Sequence, residues 1–200
     1  MSAHRHFMLY KPWGYLSQFV TNQKNNKSRL LGELSDFPDG TMAIGRLDKD
    51  SEGLLLLTTD GKVSNYITSS KVEKEYYAQV DGVVDEQAIA QLTEGVEIGN
   101  EGQRFITKAV CASIIDPAPQ LPPRPRKIRD ERHGPTSWLS ITLAEGKFRQ
   151  VRKMTAAVGL PTLRLVRMRI GPVHLGEMEP GIPQTLDLSV FEELDGQAIQ

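Results

Sequence analysis

The chain has 200 residues but only one cysteine, Cys111, which excludes disulfide frameworks and cysteine-based zinc sites within the chain. Long apolar runs are also missing: the longest aliphatic run covers residues 54–57, whereas a membrane helix needs about 20 apolar residues. The amino-terminal residues lack the apolar stretch of a secretory signal peptide, so we expect a cytoplasmic protein that binds no membrane. The remaining composition is that of ordinary globular domains, which excludes collagen, coiled coil and long disorder.

The motifs of nucleotide-dependent and metal-dependent enzymes are missing as well. The sequence contains no GxxxxGK[ST] phosphate loop, no GxGxxG turn and no HExxH pair. Its four histidines do not show the spacing of metal ligands. We therefore expect neither a metal ion nor another cofactor.

Charge is distributed unevenly along the chain. The formal net charge is −1, yet residues 121–170 hold 12 Lys and Arg against three acids, a net +9. The other residues carry a net −10, with six acids and no Lys or Arg from Glu177 to the end. Such a segment is typical of a face that meets a polyanion, although a solvated basic surface would give the same count.

The apolar pattern predicts an α+β domain whose mixed, mostly antiparallel sheet is flanked by a few helices and loops. Asp60 and Gly61 indicate a turn, and Asp85 predicts the cap of a helix that runs to Glu94. A second helix is predicted over residues 149–158, and proline spacing forbids regular structure over residues 116–135. The predicted strands cover residues 7–10, 41–47, 54–58, 72–80, 109–115, 138–143 and 162–170.

A loop at residues 45–53 places three carboxylates, Asp48, Asp50 and Glu52, between two apolar strands. A calcium loop fails because its twelfth position holds Thr59 instead of a bidentate glutamate. Two interpretations remain open on spacing alone. The carboxylates could perform acid–base chemistry, as in glycoside hydrolysis, or they could cap backbone amides in a solvated hairpin.

Basic residues form three further groups. Arg149, Arg152 and Lys153 share one face of the predicted helix, where they could contact phosphates or simply face solvent. Arg164 lies in the following strand. The proline-rich loop is readable as an RNA-contacting arm or as a disordered basic loop, and its basic residues are Arg124, Arg126, Lys127, Arg129 and Arg132.

Taken together, these motifs resemble those of the pseudouridine synthases, in the branch named for the small-subunit ribosomal enzyme. The resemblance extends from about residue 7 to about residue 188 and follows the family's order of motifs. The GRLD motif with its trailing SEGLL is its most specific part. The motifs are KPWGY at 11–15, GRLD at 45–48, SEGLL at 51–55, KEY at 74–76 and RQVR at 149–152.

This resemblance implies a fold with a catalytic cleft across the sheet, and it implies roles for individual residues. Asp48 corresponds to the nucleophile or base that acts near the anomeric carbon of a uridine. Arg152 corresponds to the residue that pairs with this aspartate, and Tyr76 to the tyrosine that stacks on the uracil. Arg46 would support the extruded nucleotide, while Leu47 and residues 54–57 would supply an apolar wall.

The resemblance also implies an RNA partner. Residues 135–165 are most similar to branch members that act on the large ribosomal subunit, so we expect large-subunit ribosomal RNA as substrate. We expect one monomeric catalytic domain over residues 1–200, with two lobes and no S4 domain. A small-subunit or transfer RNA substrate, a non-catalytic RNA-binding assembly factor and a glycoside hydrolase remain alternatives. The residues expected to contact RNA are Lys11, Arg46, Leu47, Arg124, Arg126, Lys127, Arg149, Lys153 and Arg164.

Overall fold

The chain forms two compact units in a computed structural model. Unit 1 comprises residues 1–72 and 167–200, and unit 2 comprises residues 73–166. The last long strand, β9 (Thr162–Ile170), runs from unit 2 into unit 1. The structure describes residues 4–21, 28–69, 72–100, 102–129, 131–187 and 189–190, so most of the polar stretch at 21–29 and the end of the acidic tail lie outside the described residues.

Unit 1 is built around one fully buried strand. The elements of unit 1 are β1 (His6–Lys11), β2 (Met42–Ile44), β3 (Glu52–Thr58), α1 (Gly61–Ser69), β10 (Val173–His174), β11 (Pro183–Leu186) and a 3-10 turn (Leu31–Glu33). All seven residues of β3 are buried. Leu9 of β1 pairs with Leu55 of β3, and both belong to one apolar cluster. Strands β2 and β11 pair antiparallel with β3 and β1 respectively.

Unit 2 contains antiparallel strand pairs and two helices. Strand β8 pairs with both β4 and β7, and β5 forms a hairpin with β6. The apolar residues of β4 and β8 face its core. The elements of unit 2 are β4 (Lys74–Asp81), α2 (Glu86–Glu94), β5 (Val96–Asn100), β6 (Gln103–Thr107), β7 (Cys111–Ile115), β8 (Thr136–Leu143), α3 (Gln150–Ala157) and a 3-10 turn (Glu131–His133).

The predicted α+β class is confirmed, and so is the chemistry that begins α2. The Asp85 carboxylate accepts a hydrogen bond from the Ala88 amide at 2.8 Å, as an N-cap residue should. Within this helix Leu92 is buried and Ile89 is half-buried. The described proline-rich residues 116–129 form no helix or strand.

Two parts of the prediction are wrong. The turn predicted at Asp60 and Gly61 is instead the start of a helix. Helix α1 begins at Gly61, and the Asp60 carboxylate accepts a hydrogen bond from the Lys62 amide at 2.8 Å. An aspartate before a glycine is typical of turns, but the same side chain also caps helices. The β5–β6 hairpin was not predicted: Val96 and Ile98 of β5 are buried, but β6 buries only the polar Thr107 among its residues and so shows no apolar alternation.

Candidate active site

The loop after β2 holds Asp48 on a backbone that is fixed from both sides. The Ser17 hydroxyl donates to the Leu47 carbonyl at 2.7 Å and accepts from the Leu47 amide at 2.9 Å. On the other side, the Gly14 amide donates to the Lys49 carbonyl at 2.8 Å. Gly14 adopts a φ of 91°, which glycine tolerates without strain. The half-buried Asp48 therefore stands on a preorganised loop.

Lys11, at the end of β1, closes the turn that carries this glycine. Its side chain is 0% exposed. The ammonium group donates to the Tyr15 carbonyl at 2.8 Å and to the Pro12 carbonyl at 3.1 Å. The structure thus places the predicted RNA-contacting Lys11 inside unit 1, where it supports the backbone beside Asp48.

Electrostatics around Lys11 are dominated by its burial, which lowers its pKa to about 7. Three carboxylates oppose this effect and raise the pKa, in the order Glu52, Asp50 and Asp48. The Arg167 guanidinium lowers it further. Near neutral pH, Lys11 is therefore poised between its charged and neutral forms in the electrostatic field of the candidate catalytic carboxylate.

The other predicted residues of unit 1 differ in exposure. Arg46 is exposed, so its guanidinium is available to a phosphate. Leu47 is buried beside it, in keeping with an apolar role. Arg167 was not singled out as a site residue; it is buried, and its Nε donates to the Leu54 carbonyl at 2.7 Å. This arginine ties the end of β9 to β3.

Tyr76 lies on β4 in unit 2. The strand's alternation puts it on the buried side with Ala78, and its backbone is opposite Ile141 of β8. On the neighbouring position, the Glu75 carboxylate accepts a hydrogen bond from the Ser140 hydroxyl at 2.8 Å. Two adjacent strands thus fix the backbone from which Tyr76 projects.

Arg152 lies on α3, which packs through Val151 and Met154. Its Nη1 donates to the Thr162 carbonyl at 3.3 Å, and the Thr155 and Thr162 hydroxyls lie 2.7 Å apart. These bonds attach the helix to the start of β9. The predicted pairing of Arg152 with an aspartate of unit 1 stays a prediction.

The turn before α3 is held by an internal polar network. The buried Gln150 donates to the Glu145 carboxylate at 2.6 Å and to the Thr107 hydroxyl at 2.7 Å. Its carbonyl oxygen accepts from the Lys147 amide at 2.9 Å. Burial raises the pKa of Glu145, but hydrogen bonds from its three partners outweigh this effect and leave the pKa below its ordinary value.

Arg164 anchors the proline-rich loop. It is only 7% exposed, and its Nη2 donates to the Pro122 carbonyl at 2.8 Å. Arg129, near the other end of the loop, forms an ion pair with Asp81 of β4. Both guanidinium groups therefore hold the loop in place, a function that the sequence did not indicate.

Other basic residues of unit 2 remain accessible to a polyanion. Arg126 and Lys127 are exposed on the loop between its two anchors. Arg124, whose Nε donates to the Arg126 carbonyl at 2.9 Å, is half-buried. Arg149 and Lys153 are half-buried at α3. Unit 2 thus separates anchoring cations from accessible ones.

Across the part of the chain that the structure describes, no group of three or more His, Cys, Asp or Glu side chains is arranged to hold a metal ion. Within those same residues, no helix combines the length and the apolar character that crossing a bilayer requires.

Comparison with known proteins decides the family. A family model described as RNA pseudouridylate synthase matches residues 5–157. The chain belongs to this family. It is 45% identical over 175 residues to "Ribosomal large subunit pseudouridine synthase E" of Xanthomonas axonopodis pv. citri (strain 306), a match that covers 86% of this chain and 89% of that protein. The protein of the same name from Vibrio parahaemolyticus serotype O3:K6 is 43% identical, over 86% of this chain and 69% of its own.

A solved structure agrees with this assignment. The crystal structure of a pseudouridylate synthase superposes with a TM-score of 0.73 at 31% identity, covering 97% of this chain and 75% of its own. The fold implied by the sequence motifs is therefore confirmed as that of a pseudouridine synthase, an RNA-modifying isomerase.

Ser17 and Gln150, which fix the backbone beside Asp48 and Arg149, were missed because hydroxyl and amide side chains carry no charge pattern.

Proposed function

We propose that this protein converts a specific uridine of large-subunit ribosomal RNA into pseudouridine. The observation that carries the proposal is the 45% identity, over 86% of the chain, to a relative named for that activity on the large ribosomal subunit. Membership of the RNA pseudouridylate synthase family supplies the reaction class. The RNA target is inferred from the names of relatives, and the roles of individual residues from the motifs.

The reaction exchanges one glycosidic bond for another. The bond from C1′ of the ribose to N1 of uracil breaks, the base turns, and a bond from C1′ to C5 forms. C5 loses its proton and N1 gains one, so no electrons are gained or lost and no energy source is required. The proposed residues need only to bind, to orient and to move a proton.

Asp48 is the proposed group that acts at C1′, as nucleophile or base. Its loop is fixed by the Ser17 hydroxyl and the Gly14 amide, so the backbone on both sides of Asp48 does not have to be ordered when substrate binds. Arg152 is proposed to stabilise the charged carboxylate, and Tyr76 to stack on the uracil. Because C1′ is inaccessible in a stacked helix, the uridine must be extruded, and the exposed Arg46 is proposed to receive its phosphate.

RNA binding is proposed to rest on the accessible cations of unit 2. Arg126 and Lys127 are exposed on a loop whose ends are anchored. The loop therefore loses little conformational entropy when RNA binds. We propose that Arg149 and Lys153 add phosphate contacts, and that the enzyme works as a cytoplasmic monomer. The buried Arg164 is proposed to support the proline-rich loop from within, and the buried Lys11 to support the turn beside Asp48 in unit 1.

The test is release of tritium from RNA labelled at uridine C5, with large-subunit, small-subunit and transfer RNA transcripts assayed separately. Asp48→Asn is expected to slow release by at least about 10³-fold while the Kd for RNA stays within a few-fold, because only a chemical group is lost. Asp50→Asn removes a carboxylate from the same loop and serves as the matched control.

Two results together would support both the substrate and the role of Asp48. Wild type and Asp50→Asn would release tritium from large-subunit RNA and from no other transcript, and Asp48→Asn would release almost none. Release from another RNA instead would refute the substrate. Turnover by Asp48→Asn at the wild-type rate would refute the role of Asp48. Binding without release on every RNA, including assembling subunits, would indicate a non-catalytic RNA-binding protein.

A further inference from the structure

Phe148 stands in solvent at the turn before α3. It is 64% exposed, so most of its apolar ring is in contact with water. The residues beside it are basic: Lys147 and Arg149 flank it in sequence, and the Lys153 ammonium lies 5.1 Å from the centroid of its ring. The exposed aromatic ring therefore lies among three basic side chains.

The backbone that carries Phe148 is fixed. Gln150 accepts a hydrogen bond from the Lys147 amide and donates one to Glu145, and these bonds close the turn around the phenylalanine. Arg149 adopts the left-handed conformation, with a φ of 51°, which a non-glycine residue keeps only when its surroundings determine it. The ring is therefore held in solvent, with only its own side-chain torsions free.

A second aromatic residue nearby is already covered. The Lys147 ammonium lies 4.1 Å from the centroid of the Phe105 ring and forms an ion pair with Glu145 at 2.9 Å. Lys147 is thereby committed to Phe105 and Glu145. Phe148 keeps most of its surface open, with Lys153 over its ring.

We infer that Phe148 is a stacking platform for an unpaired base of the RNA substrate, with Lys153 and Arg149 binding the adjacent phosphates. This inference rests on the proposed function and adds a nucleotide subsite to it. An aromatic face accepts any base, and neighbouring cations match the phosphates on either side. The basic residues beside the ring, Lys147, Arg149 and Lys153, favour a nucleic acid over an apolar protein segment as the occupant.

The first experiment measures the Kd of the 200-residue chain for a single-stranded oligouridine of about 12 nucleotides at several salt concentrations. Phe148→Ala is expected to raise the Kd roughly tenfold, whereas Phe148→Trp stays within about twofold of wild type. Phe148→Leu, which is apolar but not aromatic, should behave like the alanine variant. Val83→Ala is the control, because Val83 is 67% exposed in the same unit and its side chain is apolar but not aromatic.

Salt dependence separates stacking from charge. The slope of log K against log salt should be unchanged in Phe148→Ala, since no charge is removed, and should fall by about 0.7 in Lys153→Ala. A Kd within about twofold of wild type for Phe148→Ala would overturn the inference. Wild-type affinity in Phe148→Leu would also overturn it, because an apolar contact without an aromatic ring would then be enough to bind the base.

Turnover is measured separately, so the two failures can be told apart. If wild type forms no pseudouridine in any ribosomal RNA but Phe148→Ala still weakens oligouridine binding, the proposed function fails and the stacking site stands. If wild type modifies large-subunit RNA and Phe148→Ala leaves both the Kd and KM unchanged, the stacking site fails alone.

Discussion

Lys11 offers a test of the electrostatics beside Asp48 that needs no RNA. Its ammonium is fully buried and donates to two backbone carbonyls, and burial lowers its pKa to about 7. The perturbation is Lys11→Met, which keeps the length of the side chain and removes the titrating group. The quantity to follow is the free energy of unfolding as a function of pH.

The sign follows from proton counting. In the unfolded chain Lys11 has its ordinary pKa of 10.5, and in the folded protein a pKa of about 7. Between these values the unfolded state binds the extra proton, so the free energy of unfolding rises with pH by up to about 1.4 kcal/mol per unit. Integration gives a rise of about 2.5 kcal/mol between about pH 7.5 and 9.5. Below pH 7 both states are protonated, and the full cost of the buried charge remains.

The assay is urea unfolding of wild type and variants at four pH values in that window. Burial also lowers the pKa of His6, but this group titrates below the window. Lys11→Met is expected to lose most of the wild-type rise, whatever its absolute stability, while the exposed Lys108→Met keeps it. Parallel curves for wild type and Lys11→Met would show that the Lys11 pKa is not depressed, and the argument would fail.

Two further predictions concern RNA. Tyr76→Phe keeps the aromatic ring on β4, so we expect the Kd for RNA to stay within about twofold of wild type while pseudouridine formation slows. Equal rates of tritium release from wild type and variant would show that the Tyr76 hydroxyl takes no part in the reaction. Arg126→Ala combined with Lys127→Ala should weaken RNA binding and lower the salt slope by about 1.4 on single strands, and an unchanged slope in the same titration would mean that the loop is merely solvated.

Much of the fold follows from local sequence chemistry. The alternation of Tyr76, Ala78 and Val80 predicted β4, and the Asp85 cap predicted α2. Helix α1 was missed because Asp60 followed by glycine fits a turn as well as a cap. The β5–β6 hairpin was missed because its stability depends on packing against other elements, which no short sequence window contains.

For the candidate site too, the sequence predicts some features and not others. The motifs identified the family and predict Asp48, Tyr76 and Arg152 as site residues, but they do not indicate which contacts hold these residues in place. Ser17 lies 30 residues from the Leu47 backbone that it bonds, and no periodicity links the two positions. Gln150 stands inside a motif, yet its function in the turn depends on Thr107, which is 43 residues away. Contacts of this kind arise only when the chain has folded.

The basic segment shows why charge counts alone overstate the surface that RNA can reach. Its net +9 includes Arg164 and Arg167, both buried and bonded to backbone carbonyls, and Arg129, which pairs with Asp81. A guanidinium in such a position has exchanged water for a fixed partner, and it cannot release a counterion from RNA as an exposed cation does. The strength of binding should therefore follow the accessible cations and whatever bases stack beside them. If Phe148 stacks on a base as inferred, we expect this surface to select its substrate by the shape of unpaired RNA as well as by its charge.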